Sequence, residues 1–303
     1  MDKVSSRHVS WIDIENPTDE DVASLTKKYD IHPLVGHDLL ITTYRPKLEE
    51  YDDHMYLVLH FPVFDKKNNV TLSREIDFVI FSYSLVTVHY DEIPQLDEFQ
   101  QLLAGHEAVR ERDFGFSAAH LLHSIISRLF LISQKELASI EDKIDAIQQR
   151  IFDGEEKVVL TDIALIRRDL LGFRKALKPQ QTVLDSLAEH GKRFFGPDTT
   201  PYFNDIRGEY IQVWNSVEDL RETIDVLYDT NISLLSASTN ETIKVLTVFA
   251  SILFLVQAIT GFFSLNIDTL PFATDPDAFW IILGISALAS IGIYRYFRNR
   301  KWI

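Results

Sequence analysis

Two long apolar segments near the C-terminal end of the chain constrain its fold more than any other feature. Residues 245–263 are 19 residues without a charged side chain, residues 278–294 are another 17, and 14 residues separate them. A helix rises 1.5 Å per residue, so about 20 apolar residues cross roughly 30 Å of hydrocarbon. The sequence therefore predicts two membrane-spanning helices.

Charged residues beside these segments predict their orientation. Residues 264–277 contain Asp268, Asp275 and Asp277 but no Lys or Arg, whereas residues 295–303 contain Arg295, Arg298, Arg300 and Lys301. By the positive-inside rule the basic tail is cytoplasmic and the acidic loop is external. Two spans then place both termini in the cytoplasm, as in a multi-pass protein of the inner or plasma membrane. The tail is also expected to touch lipid headgroups.

Composition narrows the class of protein. The chain has 45 acidic and 30 basic residues; residues 239–303 hold four and five of these, so residues 1–238 hold 41 and 25, a net charge of −16. Such a charge repels nucleic acid and attracts cations, although solubility alone would explain it. The chain has no cysteine, which excludes disulfides and thiolate sites. No phosphate-binding loop, HExxH helix or Gly-x-Ser-x-Gly elbow is found, and we expect no enzyme.

The pattern of residues 1–115 predicts a cytoplasmic α/β domain. Strands are predicted at 8–14 and 54–63, with at least two more in 71–90. Residues 16–21 resemble a helix start, and residues 66–69 a turn. From Ser117 onwards the pattern is helical, with one helix over 117–152. A second is predicted over 155–190, kinked at Pro179 and ended by Gly191.

A third helix carries an uninterrupted heptad pattern. Seven apolar residues follow one another at spacings of four and three: Ile206, Tyr210, Val213, Val217, Leu220, Ile224 and Leu227. Since no Pro occurs between Tyr202 and Leu270, this helix can continue into the first span. There the stripe continues through Asn240, Ile243, Thr247, Ala250, Phe254, Gln257 and Gly261. Gln257 is costly in a span unless it faces water or a partner, so both pore lining and helix packing remain open.

Four motifs lie in order along nearly the whole chain. They are Ile31-His32-Pro33-Leu34 with Asp38, the segment 45–53, the segment 239–247 and the ending Arg300-Lys301-Trp302-Ile303. Together they resemble the CorA family of divalent-cation channels and transporters. The first resembles the N-terminal signature of that family, the second the segment leading into its next strand, the third the start of its pore helix and the fourth its short basic tail.

This resemblance implies a homopentamer with a cytoplasmic α/β domain, a long stalk helix that becomes the pore-lining helix, and a second, outer helix. It implies transport of divalent cations, most of all Mg²⁺, gated by the cytoplasmic domain. On this basis the chain divides into an α/β domain (1–115), a helical hairpin region (116–200), a stalk helix (201–244), a pore-lining span (245–263), an external loop (264–277), a second span (278–294) and a basic tail (295–303).

The resemblance also assigns roles to residues of the stripe and of the outer mouth. Asn240 and Gln257 would form polar rings, and Leu246 and Phe254 apolar constrictions. The family's Tyr-Gly-Met-Asn signature aligns with Phe263-Ser264-Leu265-Asn266, so Asn266 would receive hydrated Mg²⁺ while Ser264 and Leu265 depart from the family. Leu255 replaces a family proline. Asp268, Asp275 and Asp277 either attract cations to the mouth or are ordinary loop residues.

Other candidate ligands have weaker support. In the family, carboxylates between cytoplasmic domains bind regulatory Mg²⁺; Asp219, Glu222 and Asp225 are candidates, although such residues are commonly a solvated helix face. His120 and His123 lie three residues apart on a helix but lack a third ligand. The altered filter keeps a zinc-type or poorly selective cation pathway open. A membrane-anchored sensor or effector, conducting only on a signal, is the alternative of another class.

Overall fold

The computed structural model describes residues 2–65, 67–155, 157–265, 276–300 and 302. The chain forms two compact units, Met1–Tyr228 and Asp229–Ile303. The first contains a mixed sheet and most of the helices. The second contains the two apolar segments.

A six-stranded sheet organises the described part of the first unit. Its strands are β1 (Asp2–Ser5), β2 (Ser10–Glu15), β3 (Lys47–Glu50), β4 (Met55–Asp65), β5 (Val70–Ile80) and β6 (Ser84–His89). They lie in the order β1-β2-β6-β5-β4-β3. All neighbours are antiparallel except β2 and β6, which are parallel.

The strand predictions are confirmed for the sheet interior and incomplete at its edges. The predicted segments 8–14, 54–63 and 71–90 correspond to β2, β4, β5 and β6. The outermost strands β1 and β3 were not predicted. Each is only four residues long and rich in charged residues. Short, charged strands are usual at sheet edges because they reduce pairing of the open edge with a strand of another chain.

Helices cover both faces of the sheet. On one face, α1 (Asp19–Tyr29) and α2 (Pro33–Asp38) pack on Ile12, Val58 and Val86. On the other, the Trp11 ring lies 6.0 Å from Phe99 of α3 (Pro94–Gly105). Next come α4 (Glu107–Phe114) and α5 (Ala118–Phe152), whose buried residues face the same core. The predicted start of α1 is confirmed: Thr18 and Asp21 form a capping box.

The predicted second long helix is broken at Pro179, as expected, but does not end at Gly191. It consists of α6 (Val159–Leu177), a 3-10 turn (Lys178–Gln180) and α7 (Gln181–Phe195). Gly196, with φ of 95°, ends α7. A Cβ at Gly191 would lie 2.4 Å from the Phe203 ring. The prediction was wrong because Gly191 permits close packing inside the helix and does not terminate it.

The long helix α8 (Thr200–Phe263) buries the predicted heptad residues. In the first unit all seven, from Ile206 to Leu227, are at most 8% exposed. The Tyr210 hydroxyl donates to the carbonyl of Leu177, at 3.2 Å, and its ring lies 6.3 Å from Phe130. The heptad seam therefore packs against helices of the same chain.

In the second unit α8 continues to Phe263, and α9 spans Ala278–Asn299. Each contains a long, strongly apolar stretch. Both helices are long and apolar enough to cross a membrane. The α/β unit with a long helix and two apolar C-terminal helices is the predicted fold.

Candidate functional site

The predicted stripe lies on one uncovered face of α8. All eight of its residues are exposed in the single chain: Asn240, Ile243, Leu246, Thr247, Ala250, Phe254, Gln257 and Gly261. Their spacing of three and four residues, apart from the adjacent pair 246–247, places them within one stripe of a helix. The apolar members are prominent, since Phe254 is 75% and Leu246 63% exposed.

From Val248 onwards, the opposite face of α8 is partly covered within the chain. Val248 is 3% exposed, and five further residues on that side are half-buried: Ser251, Ile252, Leu255, Val256 and Ile259. The helix runs through Leu255 without a break. One face of α8 is thus partly covered within a single chain after Val248, whereas residues 240–247 are exposed on all sides. The stripe is left for lipid, water or another chain.

Polar side chains of the stripe are spaced between the large apolar ones. Within the described residues, the side chains of Asn240 and Gln257 make no hydrogen bond. The Thr247 hydroxyl donates to the carbonyl of Ile243, at 2.7 Å, which leaves its oxygen able to accept. The stripe therefore presents oxygen acceptors at three levels, separated by apolar side chains.

At the predicted outer mouth, the structure describes Ser264 and Leu265. The Ser264 amide donates to the carbonyl of Thr260, at 3.0 Å, and its hydroxyl to that of Gly261, at 2.9 Å. Ser264 is not among the positive-φ residues of the described chain, so no glycine-like conformation is needed there. Asn266, Asp268 and Asp275 lie outside the described residues.

The candidate carboxylates of α8 in the first unit differ in their surroundings. Asp219 and Glu222 are exposed, whereas Asp225 pairs with Arg167 at 2.6 Å and with Arg221 at 3.8 Å. The candidate histidines have separate partners. His123 Nε2 lies 2.8 Å from Asp205, and the His120 ring packs 4.4 Å from Tyr202.

A buried carboxyl group was missed by the sequence reasoning. Asp77 on β5 is fully buried, and the hydroxyls of Tyr56 and Tyr90 donate to its Oδ2 at 2.8 and 3.0 Å. Burial, reinforced by the nearby charge of Glu75, raises the pKa of Asp77 well above its usual range. An Asp inside the otherwise apolar run of residues 76–80 is the sequence signal that could have revealed it.

A sequence profile of the CorA-like Mg²⁺ transporter protein family matches residues 6–300 of the chain. The chain belongs to this family. The CorA cobalt/magnesium transport protein of Thermotoga maritima is 25% identical over 297 residues, covering 97% of this chain and 83% of that protein. The CorA protein of Methanocaldococcus jannaschii is 27% identical over 299 residues, covering 97% and 91%.

Solved structures agree on the fold. The complete CorA magnesium transporter of M. jannaschii matches with a TM-score of 0.83 at 24% identity, covering all of this chain and 95% of the other. The full-length CmaX protein matches with a TM-score of 0.75 at 18% identity, covering 97% and 90%. The resemblance to this family is confirmed, and so is the predicted α/β domain with a long helix and two apolar C-terminal helices. CorA-like proteins are membrane transporters, which agrees with the expectation that this chain is not an enzyme.

Proposed function

We propose that this chain assembles into a homopentamer that conducts divalent cations, above all Mg²⁺, into the cytoplasm. The supporting observation is the exposed stripe on α8, which from Val248 onwards lies opposite a face that the chain itself partly covers. Two spans per chain cannot enclose a pathway, so a pore needs several copies around an axis. Five stripes facing that axis would form the lining.

The chemistry of the stripe suits an ion that keeps its water. Rings of Asn240, Thr247 and Gln257 offer uncharged oxygen atoms to the hydrogens of bound water. Mg²⁺ gives up its water reluctantly, so such rings can pass it hydrated. Rings of Leu246 and Phe254 would close the pathway by excluding water.

The outer mouth is the proposed selectivity filter, consisting of Ser264, Leu265, Asn266 and Asp268. Asn266 supplies the ion-binding oxygen, and the loop aspartates attract cations. The charge pattern of the sequence supports a position of this outer mouth outside the cell, with both termini in the cytoplasm and the basic tail at the lipid headgroups.

The cytoplasmic part of the chain is proposed to gate the pathway. The domain boundaries of this proposal are the ones predicted from the sequence. Asp219 and Glu222 are exposed on α8 and can meet carboxylates of a neighbouring copy, where a bound Mg²⁺ would relieve their repulsion. Asp225 is a weaker candidate because its charge is already neutralised by two arginines.

Ion flux into liposomes tests this proposal, with Mg²⁺, Zn²⁺, Co²⁺ and K⁺ measured side by side. We expect saturable Mg²⁺ uptake that Asn266→Ala abolishes and that Asn204→Ala, an exposed change elsewhere on α8, leaves intact. Equal uptake of Zn²⁺ and K⁺ would instead favour the poorly selective pathway suggested by Ser264 and Leu265. A pentamer that passes no ion without an added ligand would favour the sensor, and a chain that forms no pentamer would contradict the proposal.

A further inference from the structure

The parallel strands β2 and β6 end beside a cluster of three possible metal ligands that lies apart from the proposed pathway. Asp13 of β2, His89 of β6 and Asp97 of α3 each offer one ligand atom, and these atoms lie within 4.8 Å of one another. The carboxyl ends of parallel strands are where ligands bind in many open α/β sheets. Here the adjoining first turn of α3 supplies the third group.

Hydrogen bonds hold Asp13 in a fixed orientation. The indole N–H of Trp11 donates to the Thr87 hydroxyl oxygen at 2.8 Å, and that hydroxyl donates in turn to Asp13 Oδ1. The other oxygen, Oδ2, is left facing His89. Support of this kind behind a carboxylate is typical of the outer shell of metal sites.

Hydrogen bonding orients the His89 ring so that one nitrogen faces the cluster. It is fully buried, and its Nδ1 lies 2.7 Å from the carbonyl oxygen of Asp91. A carbonyl can only accept, so Nδ1 carries a hydrogen and Nε2 is the nitrogen available to an ion. Metal-bound histidines commonly donate their second N–H to a backbone carbonyl in this way.

The spacing between His89 and Asp13 fits a shared cation. His89 Nε2 lies 3.3 Å from Asp13 Oδ2, which is longer than the 2.7–2.9 Å usual for a charge-assisted hydrogen bond. Two ligands about 2.1 Å from one ion lie about 3.0 Å apart at octahedral angles and about 3.4 Å apart at tetrahedral angles. The Asp97 carboxylate, half-buried, makes no side-chain hydrogen bond within the described chain and completes a third side.

We propose that Asp13, His89 and Asp97 bind a divalent transition-metal ion, such as Co²⁺, Ni²⁺ or Zn²⁺, in the α/β unit. An imidazole ligand favours these ions over Mg²⁺, which prefers oxygen ligands alone. Three protein ligands leave coordination positions for water on the half-exposed side of Asp97. The site thus differs in chemistry from the all-oxygen rings proposed for the pathway.

Cobalt binding to the full-length protein in detergent, with any affinity tag removed, tests this site. Equilibrium dialysis gives the affinity and the number of ions, and cobalt K-edge X-ray absorption reports scattering from a coordinated imidazole ring. We expect imidazole scattering in the wild type. In His89→Gln it should disappear, and the affinity of that site should fall by at least about tenfold, since even outer-shell changes cost 10–100-fold.

Two further variants keep the test decisive. His123→Gln removes a histidine–aspartate pair outside the cluster and should leave both readouts unchanged. Asp97→Asn, a half-buried change, should lower affinity to a similar extent and serves if His89→Gln does not fold. Absence of imidazole scattering from the wild type, or wild-type binding by both cluster variants, would overturn the proposal and leave Asp13 and His89 as a proton-bridged pair.

Discussion

The side-chain amide of Gln180 pairs with both backbone groups of His60. Its Nε2 donates to the His60 carbonyl at 3.0 Å, and its Oε1 accepts from the His60 amide at 3.1 Å. Strand β3 pairs with β4 only as far as Val58, so His60 lies on an open edge of β4. The break at Pro179 brings the fully buried Gln180 to that edge, where its amide takes the place of a strand.

Replacing Gln180 should therefore destabilise the α/β unit. Gln180→Leu leaves a buried N–H and a buried C=O without partners, each costing about 1–3 kcal/mol. We expect the thermal unfolding midpoint of the full chain in detergent to fall by roughly 5 °C or more. Gln181→Leu, at the exposed neighbouring position, is the control and should change it little. Equal midpoints for the two variants would show that the amide pairing does not stabilise the fold.

Gly172 is expected to be essential for the contact of α6 with β5. A Cβ there would lie 2.1 Å from the carbonyl oxygen of Thr71, whose amide donates to Asp169 one turn earlier on the helix. Gly172→Ala should lower the free energy of unfolding by about 1–3 kcal/mol, because backbone atoms cannot move aside. Gly208→Ala, with no atom near its added Cβ, should raise it by up to about 1 kcal/mol. Urea denaturation would measure both, and a stabilising Gly172→Ala would refute this packing.

The sequence was sufficient to predict those helices and strands in which the local residue pattern agrees with the burial of the residues. The heptad from Ile206 to Leu227 repeats at the helical period, and the inner strands β4 and β6 are nearly continuous buried runs rich in β-branched and aromatic or aliphatic residues. In both cases neighbouring residues support the same assignment. Features that depend on residues far apart in the chain were not predictable. Gly191 resembles a helix terminator until Phe203 is known to lie against it, and nothing local connects Gln180 with His60 or Asp13 with His89. The exposed stripe on α8 was predictable from its period, whereas the proposed arrangement of several stripes around an axis would be a property of several chains.

Glu136 should make the stability of the α/β unit depend on pH. Burial, and secondly the charge of Asp169, raise its pKa from 4.5 to about 7, and its Oε2 has no hydrogen-bond partner among the described residues. The folded chain thus holds this proton more tightly than the unfolded chain. The stability that this provides is complete below pH 4.5 and is lost as pH rises through about 7.

The variant Glu136→Gln isolates this effect from other titrating groups. At pH 5 it should unfold close to the wild-type midpoint, and at pH 8 it should be more stable by on the order of 2 kcal/mol. Glu141→Gln, an exposed change on the same helix, should follow the wild type at both values. Urea denaturation at the two pH values measures the difference. A pH-independent gap between Glu136→Gln and the wild type would contradict the raised pKa.

Substitution of Gln257 tests whether the stripe on α8 faces water or lipid. If it forms a polar ring in the pathway, Gln257→Leu removes an acceptor for the water around a passing ion. The loss of one net hydrogen bond, about 1.4 kcal/mol of barrier, should slow Mg²⁺ flux roughly tenfold in liposomes. Val256→Leu changes the adjacent, half-buried position on the covered face and should leave flux nearly unchanged. If the stripe instead faces lipid, Gln257→Leu should conduct normally, because an apolar side chain suits hydrocarbon better than an amide.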